Sequence, residues 1–394
     1  MKKFFSSLPF RLLVSVVVGI LLGMVFNKGV MNVVVTLKYI LNQLIMFCVP
    51  LIIIGFIAPS ITQLGSNGTK ILKLALILAY CSSVGAALMS MLCGYGIIPN
   101  LSIATEVEGL KKLPPLVFQL DIPQILPVMS ALVLSVMLGL AATMTKAKTM
   151  ITLLNEFQDI VLHIVTSVII PILPIFIMST FCCLSYEGTI TKQLPIFLEV
   201  ILIILVGHYI WLALLYSVSS LYSHKNGFEV LKHYGAAYLT AVGTMSSAAT
   251  LPVSLKCAGK SKLLRKDMVS FGIPLFANVH MPGSVLTEVF FVMTISKMLY
   301  GSIPSAGSMV LFCLLLGVFA IGAPGVPGGT VMASLGLVTG VLHFDATGAA
   351  LLITIFALQD SFGTACNVTG DGALSLILTS YADRHGMSDQ TQTA

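Results

Sequence analysis

From residue 8 to residue 382 this sequence is a succession of long apolar stretches joined by short polar connections, and eight of the stretches can each cross a bilayer. They run at 8–26, 31–63, 69–98, 124–145, 150–185, 194–222, 266–298 and 347–382. A hydrocarbon core of about 30 Å needs only ~20 helical residues. Several stretches exceed that and are expected to tilt or bend, with Pro50, Pro59, Pro171 and Pro174 as bend points. Composition agrees: 57% of the 394 residues are hydrophobic and 9% are charged, against roughly 25% charged in soluble domains. No core of this length hides so much apolar surface from water, so lipid must cover it. The expectation is an all-α polytopic membrane protein forming one membrane domain, residues 1–394.

Two further apolar stretches, 228–258 and 305–343, are broken at their centres. The first carries Thr244-Met245-Ser246-Ser247-Ala248-Ala249-Thr250-Leu251-Pro252, the second Gly322-Ala323-Pro324-Gly325-Val326-Pro327-Gly328-Gly329-Thr330. Gly, Pro and hydroxyl residues there free backbone groups that lipid cannot satisfy, so such breaks survive only where they line a cavity or a site. Both read as re-entrant helical hairpins. A matched pair of Gly/Pro-interrupted segments, one entered from each side, points to inverted repeats and a binding site near the midplane.

The charges test this topology. With both termini in the cytoplasm, eight crossings and two hairpins, all but six of the 21 Lys and Arg residues fall on the inner side; the exceptions are Lys28, Lys38, Lys111, Lys112, Lys192 and Lys297. Such a bias is the positive-inside pattern, and it sets the protein in the cell's inner membrane as a multi-pass chain. The net charge of +6 is spread along the loops, so it forms no patch for nucleic acid. Lys2-Lys3 and the apolar stretch after them resemble a signal peptide, but no small-residue cleavage site follows, and the stretch is expected to stay as the first span. The mixed-charge segment 106–115 reads as an exposed outer loop. The eight cysteines have no metal-ligand spacing and read as small apolar fillers.

The last span holds the densest polar constellation. At ~100° per residue, taking Asp360 as zero, Thr364 lies near +40°, Gly363 near −60°, Asn367 near −20° and Asp371 near +20°. Two carboxylates, an amide and a hydroxyl therefore share one stripe about three turns long. Polar contact between helices is one use for it. Binding of cationic groups is the stronger one, because each buried carboxylate costs several kcal/mol unless it meets a cation. Asp360 then takes an ammonium group, and Asp371 with Asn367 a hard cation such as sodium.

With these motifs in order, the chain resembles the dicarboxylate/amino acid:cation symporters, the glutamate-transporter homologues, over nearly its full length. The resemblance rests on the eight spans, the two hairpins, Ser246-Ser247-Ala248-Ala249-Thr250-Leu251-Pro252, Gly325-Val326-Pro327-Gly328 and Asn367-Val368-Thr369-Gly370-Asp371. It implies a homotrimer in which spans 1, 2, 4 and 5 form a scaffold, while spans 3, 6, 7, 8 and the hairpins form a moving transport unit. It further implies that Asp360 holds a substrate amino group, that Asn367 contacts the substrate carboxylate, and that Ser246 and Ser247 offer backbone groups to it. Thr364 and Ser284 are further substrate contacts, and Val326 and Gly329 close the gate. Sodium is the implied cofactor, with Asp371, Asn367, Asn278, Met281, Ser82 and Ser83 as its ligands.

Two departures from the family pattern matter. Acidic-substrate members carry an arginine where this chain has Gly363, and that arginine pairs with a side-chain carboxylate. Small neutral substrates such as serine, threonine or alanine are therefore expected, in the manner of the serine/threonine symporters of the family. Glutamate, aspartate or succinate, driven by sodium or protons, is the alternative. In span 7 the family's Asn-Met-Asp-Gly-Thr is here His280-Met281-Pro282-Gly283-Ser284, which keeps the break and removes an amide and a carboxylate ligand. His280 is then either a local hydrogen-bonding residue or a protonatable coupling group. Glu288 reads equally as a cavity acid or a paired one; Glu199, His208 and His163 read as packing residues, and Gly19 with Gly23 as a packing face. Neither His-Glu-x-x-His nor Gly-x-Ser-x-Gly occurs, which argues against an enzyme. A channel is disfavoured by two breaks of opposite entry.

Overall fold

A computed structural model of the chain describes residues 8–66, 70–101, 112–323, 325 and 327–387. Among these residues it is all helical, with no strand. The helices are α1 (Leu8–Val25), α2 (Lys28–Ser66), α3 (Lys70–Ile97), α4 (Val128–Met144), α5 (Lys148–Ile164), α6 (Ile170–Glu187), α7 (Thr189–Ser223), α8 (Phe228–Leu231), α9 (Gly235–Thr244), α10 (Ser247–Ala258), α11 (Lys266–Val279), α12 (Pro282–Tyr300), α13 (Ala306–Gly322), α14 (Gly329–Gly340) and α15 (Ala346–Arg384). Of the expected outer loop, residues 106–111 lie outside the described residues.

Six described helical stretches are long and apolar enough to cross a membrane: Lys28–Gly55, Ile71–Asn100, Lys148–Glu187, Leu198–Ser223, Lys266–Tyr300 and Ala346–Arg384. The other two expected crossings are the shorter helices α1, of 18 residues, and α4, of 17. The prolines act unequally. Pro50 and Pro59 sit inside α2, which runs unbroken from Lys28 to Ser66. Pro171 and Pro174 lack the amide that would bond back four residues, and just before them α5 passes into α6 through a wide π turn at Val165–Ile169.

Burial separates these stretches sharply. The apolar windows of Lys266–Tyr300 and Ala346–Arg384 are each 89% buried by protein, while the other four are 29–39% buried. The two stretches richest in polar groups are thus the two most shielded from lipid, as the cost of exposing such groups to hydrocarbon requires. α15 lies at the centre, packed by α12, α7, α9 and α11; α3 closes over α12 and α13. A second set, α1 with α6 and α2 with α4, α5 and α6, packs together beside it. The approach of α1 to α6 depends on Gly19 and Gly23, where a Cβ would lie 2.4 and 2.3 Å from the carbonyl oxygens of Met178 and Cys182. Both broken stretches fold back at the break, α9 against α10 and α13 against α14.

Candidate functional site

Three helix breaks and the middle of α15 converge on one small cavity of about 10 Å³, close to the least that admits a single water. The α9–α10 break contributes Met245 and Ser247, the α11–α12 break Met281 and Ser284, the α13–α14 break Gly325 and Thr330, and α15 supplies Asp360, Thr364 and Asn367. A larger groove of about 330 Å³ between α3, α7 and α12 is almost purely apolar, opens past exposed Leu202, Val206 and Ile210, and offers no polar set for a charged solute.

Each break leaves helix N-termini with unpaired amides, and the site is largely an account of what pairs with them. α12 begins with Pro282, which has no amide; the next two, Gly283 and Ser284, donate to Asn367 Oδ1 at 2.7 and 3.3 Å. Asn367 Nδ2 in turn donates to Ser284 Oγ at 2.9 Å. One side chain of α15 therefore caps a helix more than eighty residues away in sequence. α14 begins after Gly328, whose φ of +71° suits glycine, and the Gly328 amide donates to Asp360 Oδ2 at 2.6 Å. The carboxylate thus sits at a helix N-terminus, where the dipole favours an anion. Its other oxygen, Oδ1, accepts among the described residues only from Thr364 Oγ1, at 3.4 Å. At the first break, Ser246 caps α10 by accepting from the Ala249 amide and donates its hydroxyl to Gly325 O at 2.6 Å, so the two tips are tied together.

Among the residues expected from sequence, Asp360, Asn367, Thr364, Ser247 and Ser284 line the cavity. Ser246 holds the tip contact, and Gly329 is buried as the first residue of α14. Val326 lies outside the described residues. Gly363 faces the α12 break instead of open space: a Cβ there would meet Ser284 N and Cα at 3.4 Å, an ordinary contact. Sequence reasoning missed Met245, which has φ +53° beside the break, and the amide of Gly328. The paired glycines at 328 and 329 were the available signal for the latter.

The expected sodium ligands do not assemble into a cage of oxygens. His280 Nδ1 lies 2.8 Å from Asp371 Oδ1, and its Nε2 lies 2.8 Å from Ser82 Oγ. Ser83 Oγ accepts from the Met281 amide at 3.4 Å, and Asn367 is spent on the α12 cap. Met281 presents its sulfur to Thr330. Asn278 is exposed and bonds to Pro274 O at 2.8 Å. Asn278 lies in the last turn of α11, whereas His280 follows the helix end with extended backbone (φ −111°, ψ 102°) and is buried in the cluster. Nearby, His208 Nε2 contacts Gly283 O at 3.1 Å and Thr287 Oγ1 at 2.9 Å, which makes it a brace for the break. Glu288 is fully buried and accepts from Ser334 of α14. His163 is exposed on α5, and Glu199 is exposed on α7.

Residues 8–381 match the Sodium:dicarboxylate symporter family. Among curated proteins, human (Homo sapiens) "Excitatory amino acid transporter 2" is 30% identical over 236 residues, covering 57% of this chain and 39% of that protein. "Neutral amino acid transporter B(0)" of Mus musculus is 29% identical over 240 residues, 60% of this chain and 43% of that protein. "Excitatory amino acid transporter 3" of Mus musculus is 30% identical over 234 residues, 57% of this chain and 43% of its own length. The matched stretches thus span about two fifths of these relatives.

Proposed function

The chain belongs to the sodium:dicarboxylate symporter family, and on that premise we propose that it is a secondary carrier of small amino acids with neutral side chains, working by alternating access. Its family and relatives are transporters, not enzymes. The observation that carries the reading is the charge of the cavity: one carboxylate, one amide and several hydroxyls, with no guanidinium in reach. Arg265 is held by Asp267 and Asp383, Arg384 stacks on Tyr222, and Arg11 is exposed near the start of α1. A substrate's distal carboxylate beside Gly363 would meet backbone, and a buried unpaired charge is strongly disfavoured. A serine hydroxyl needs only a partner such as Thr364 or Ser284. That one relative is named a neutral amino acid transporter fits the same reading.

In this reading the ammonium binds Asp360 Oδ1 while Oδ2 keeps the Gly328 amide, so substrate and tip share one carboxylate. The substrate carboxylate lies toward Asn367 and the N-terminus of α10, where the helix dipole favours an anion. A cavity of about 10 Å³ is too small for an amino acid, so entry needs it to widen, and in this reading the α13–α14 tip lifts. Lifting breaks the Ser246–Gly325 bond, worth ~1 kcal/mol, the longer bond from the Ala248 amide to Gly325 O, and the charge-assisted Gly328–Asp360 bond, worth about 1.5–3 kcal/mol. Those are modest sums for a gate.

The rest of the reading follows the family resemblance. Eight crossings place both termini in the cytoplasm, and the breaks at 228–258 and 305–343 are re-entrant hairpins. The set α1, α2, α4, α5 and α6 is the trimeric scaffold in the inner membrane, and the helices around α15 are the moving unit; their separate packing supports this division. Coupling to an ion follows the family's description, with sodium the ion it names. Competition against radiolabelled serine in proteoliposomes tests the substrate class. Alanine and threonine should displace it below the concentration at which aspartate or succinate does; the reverse order refutes the assignment.

A further inference from the structure

The α11–α12 break holds a second polar cluster that substrate binding leaves unused. The His280 and Asp371 side chains are 0% and 1% exposed. The imidazole spans from Asp371 on α15 to Ser82 on α3 with two contacts of 2.8 Å, so one ring ties the break to two other helices. Its slot fits a ring. Phe276 meets it edge-on at 6.0 Å, and a Cβ at position 370 would stand 3.0 Å from the ring's Cε1, so the glycine there leaves the space the imidazole fills.

The bridge requires no particular protonation state. The ring carries an N–H at Nδ1 in one neutral tautomer and in the imidazolium, and the Ser82 hydroxyl can donate or accept. Sodium, by contrast, is held by several oxygens at once. Here Asp371 Oδ1 and Ser82 Oγ face the ring nitrogens, Ser83 Oγ faces the Met281 amide, and the Gly283 carbonyl faces His208. Of these oxygens Asp371 Oδ2 is the one left without a partner among the described residues; Thr369 and Ser375, two residues before and four after it on α15, carry the nearest other unpartnered hydroxyls in sequence, and one carboxylate oxygen with a hydroxyl is still short of a coordination shell.

We infer that His280 takes the place of a cation at Asp371: the imidazole is a built-in bridge, and this position holds no sodium ion. Building on the carrier reading above, ion coupling then runs through other atoms of the protein. The experiment follows the unfolding midpoint of the full chain in nanodiscs as sodium chloride replaces choline chloride at constant ionic strength. His280→Asn, which opens the slot and supplies an amide oxygen, should show a saturating sodium-dependent rise beyond that of the wild type. Adding Asp371→Asn to that variant should remove the extra rise. A wild-type response as large as that of His280→Asn overturns the inference. Should the variant not fold, the ring ¹⁵N spectrum of wild-type protein decides. Its hydrogen-bonded histidine signals should stay in place between choline and saturating sodium, and their loss would mean that the ion displaces the bridge. Neither readout uses an amino acid, so a chain that binds none would refute the carrier assignment and leave this test standing.

Discussion

Asn367→Ala is expected to loosen the α11–α12 break and, with it, the whole site. Asn367 Oδ1 is the acceptor for two consecutive buried amides, those of Gly283 and Ser284, and Nδ2 donates to the Ser284 hydroxyl. Two estimates of the cost compete. Hydrogen bonds between membrane helices average only ~0.6 kcal/mol, because the chain unfolded in the membrane also finds partners, which would give a loss of about 1 kcal/mol for two. Removing the acceptor while both donors stay buried instead strands each amide at ~1–3 kcal/mol, or about 2–6 kcal/mol together. The second estimate governs, since Pro282 prevents the helix from shifting back to reuse its first turn and the break is enclosed by α15 and α3. Asn367→Asp separates capping from shape: it keeps the acceptor oxygen for the two amides and replaces the Nδ2 donor by a second oxygen, to which the Ser284 hydroxyl can turn to donate. Apparent unfolding midpoints at a fixed scan rate in detergent should therefore fall clearly for alanine and much less for aspartate. Equal midpoints for wild type and alanine would refute the idea that this amide holds the break. Equal losses for alanine and aspartate would show that the donation to Ser284, not the cap, is what matters.

Asp360→Asn retains an acceptor for the Gly328 amide but removes the countercharge for an ammonium, so the chain should fold and insert while amino-acid affinity falls. Loss of a charge-assisted bond of about 1.5–3 kcal/mol sets roughly ten- to a hundred-fold as the minimum drop in equilibrium binding; unchanged binding would remove Asp360 from the site. Gly363→Arg should raise the relative affinity for aspartate over serine in competition, because a Cβ at 363 meets the α12 break at an ordinary 3.4 Å and a side chain can start there. No gain for aspartate would mean that the guanidinium is not delivered to the cavity from this position.

Much of this architecture is written in one-dimensional pattern. Apolar length alone demands helices in lipid, and the ends expected for them fall within a few residues of those observed, as at 69–98 against Lys70–Ile97 and 347–382 against Ala346–Arg384. The breaks were equally legible, because Gly, Pro and hydroxyl residues at the centre of an apolar stretch interrupt the helix whatever surrounds it. The polar stripe of α15 was legible too, since helical periodicity sets the angle of each side chain about its own axis.

What periodicity cannot set is the partner. Asp360 and Asp371 share a face, yet eleven residues of rise put them about 16 Å apart along the helix, and different neighbours meet them at the two levels. Asp360 meets the amide of Gly328, and Asp371 meets the imidazole of His280. Asn367, read as a ligand, is turned to capping α12, and Asn278, two residues from His280, points out of the cluster. Each of these outcomes depends on how far one helix has slid and rotated against another that lies tens or hundreds of residues away. That offset is fixed by packing, including close backbone approaches such as Gly283 against Gly363, where a Cβ on Gly283 would fall 2.4 Å from the Gly363 carbonyl oxygen. The sequence determined that buried charges would need partners; only the packed helices decided which groups those partners are.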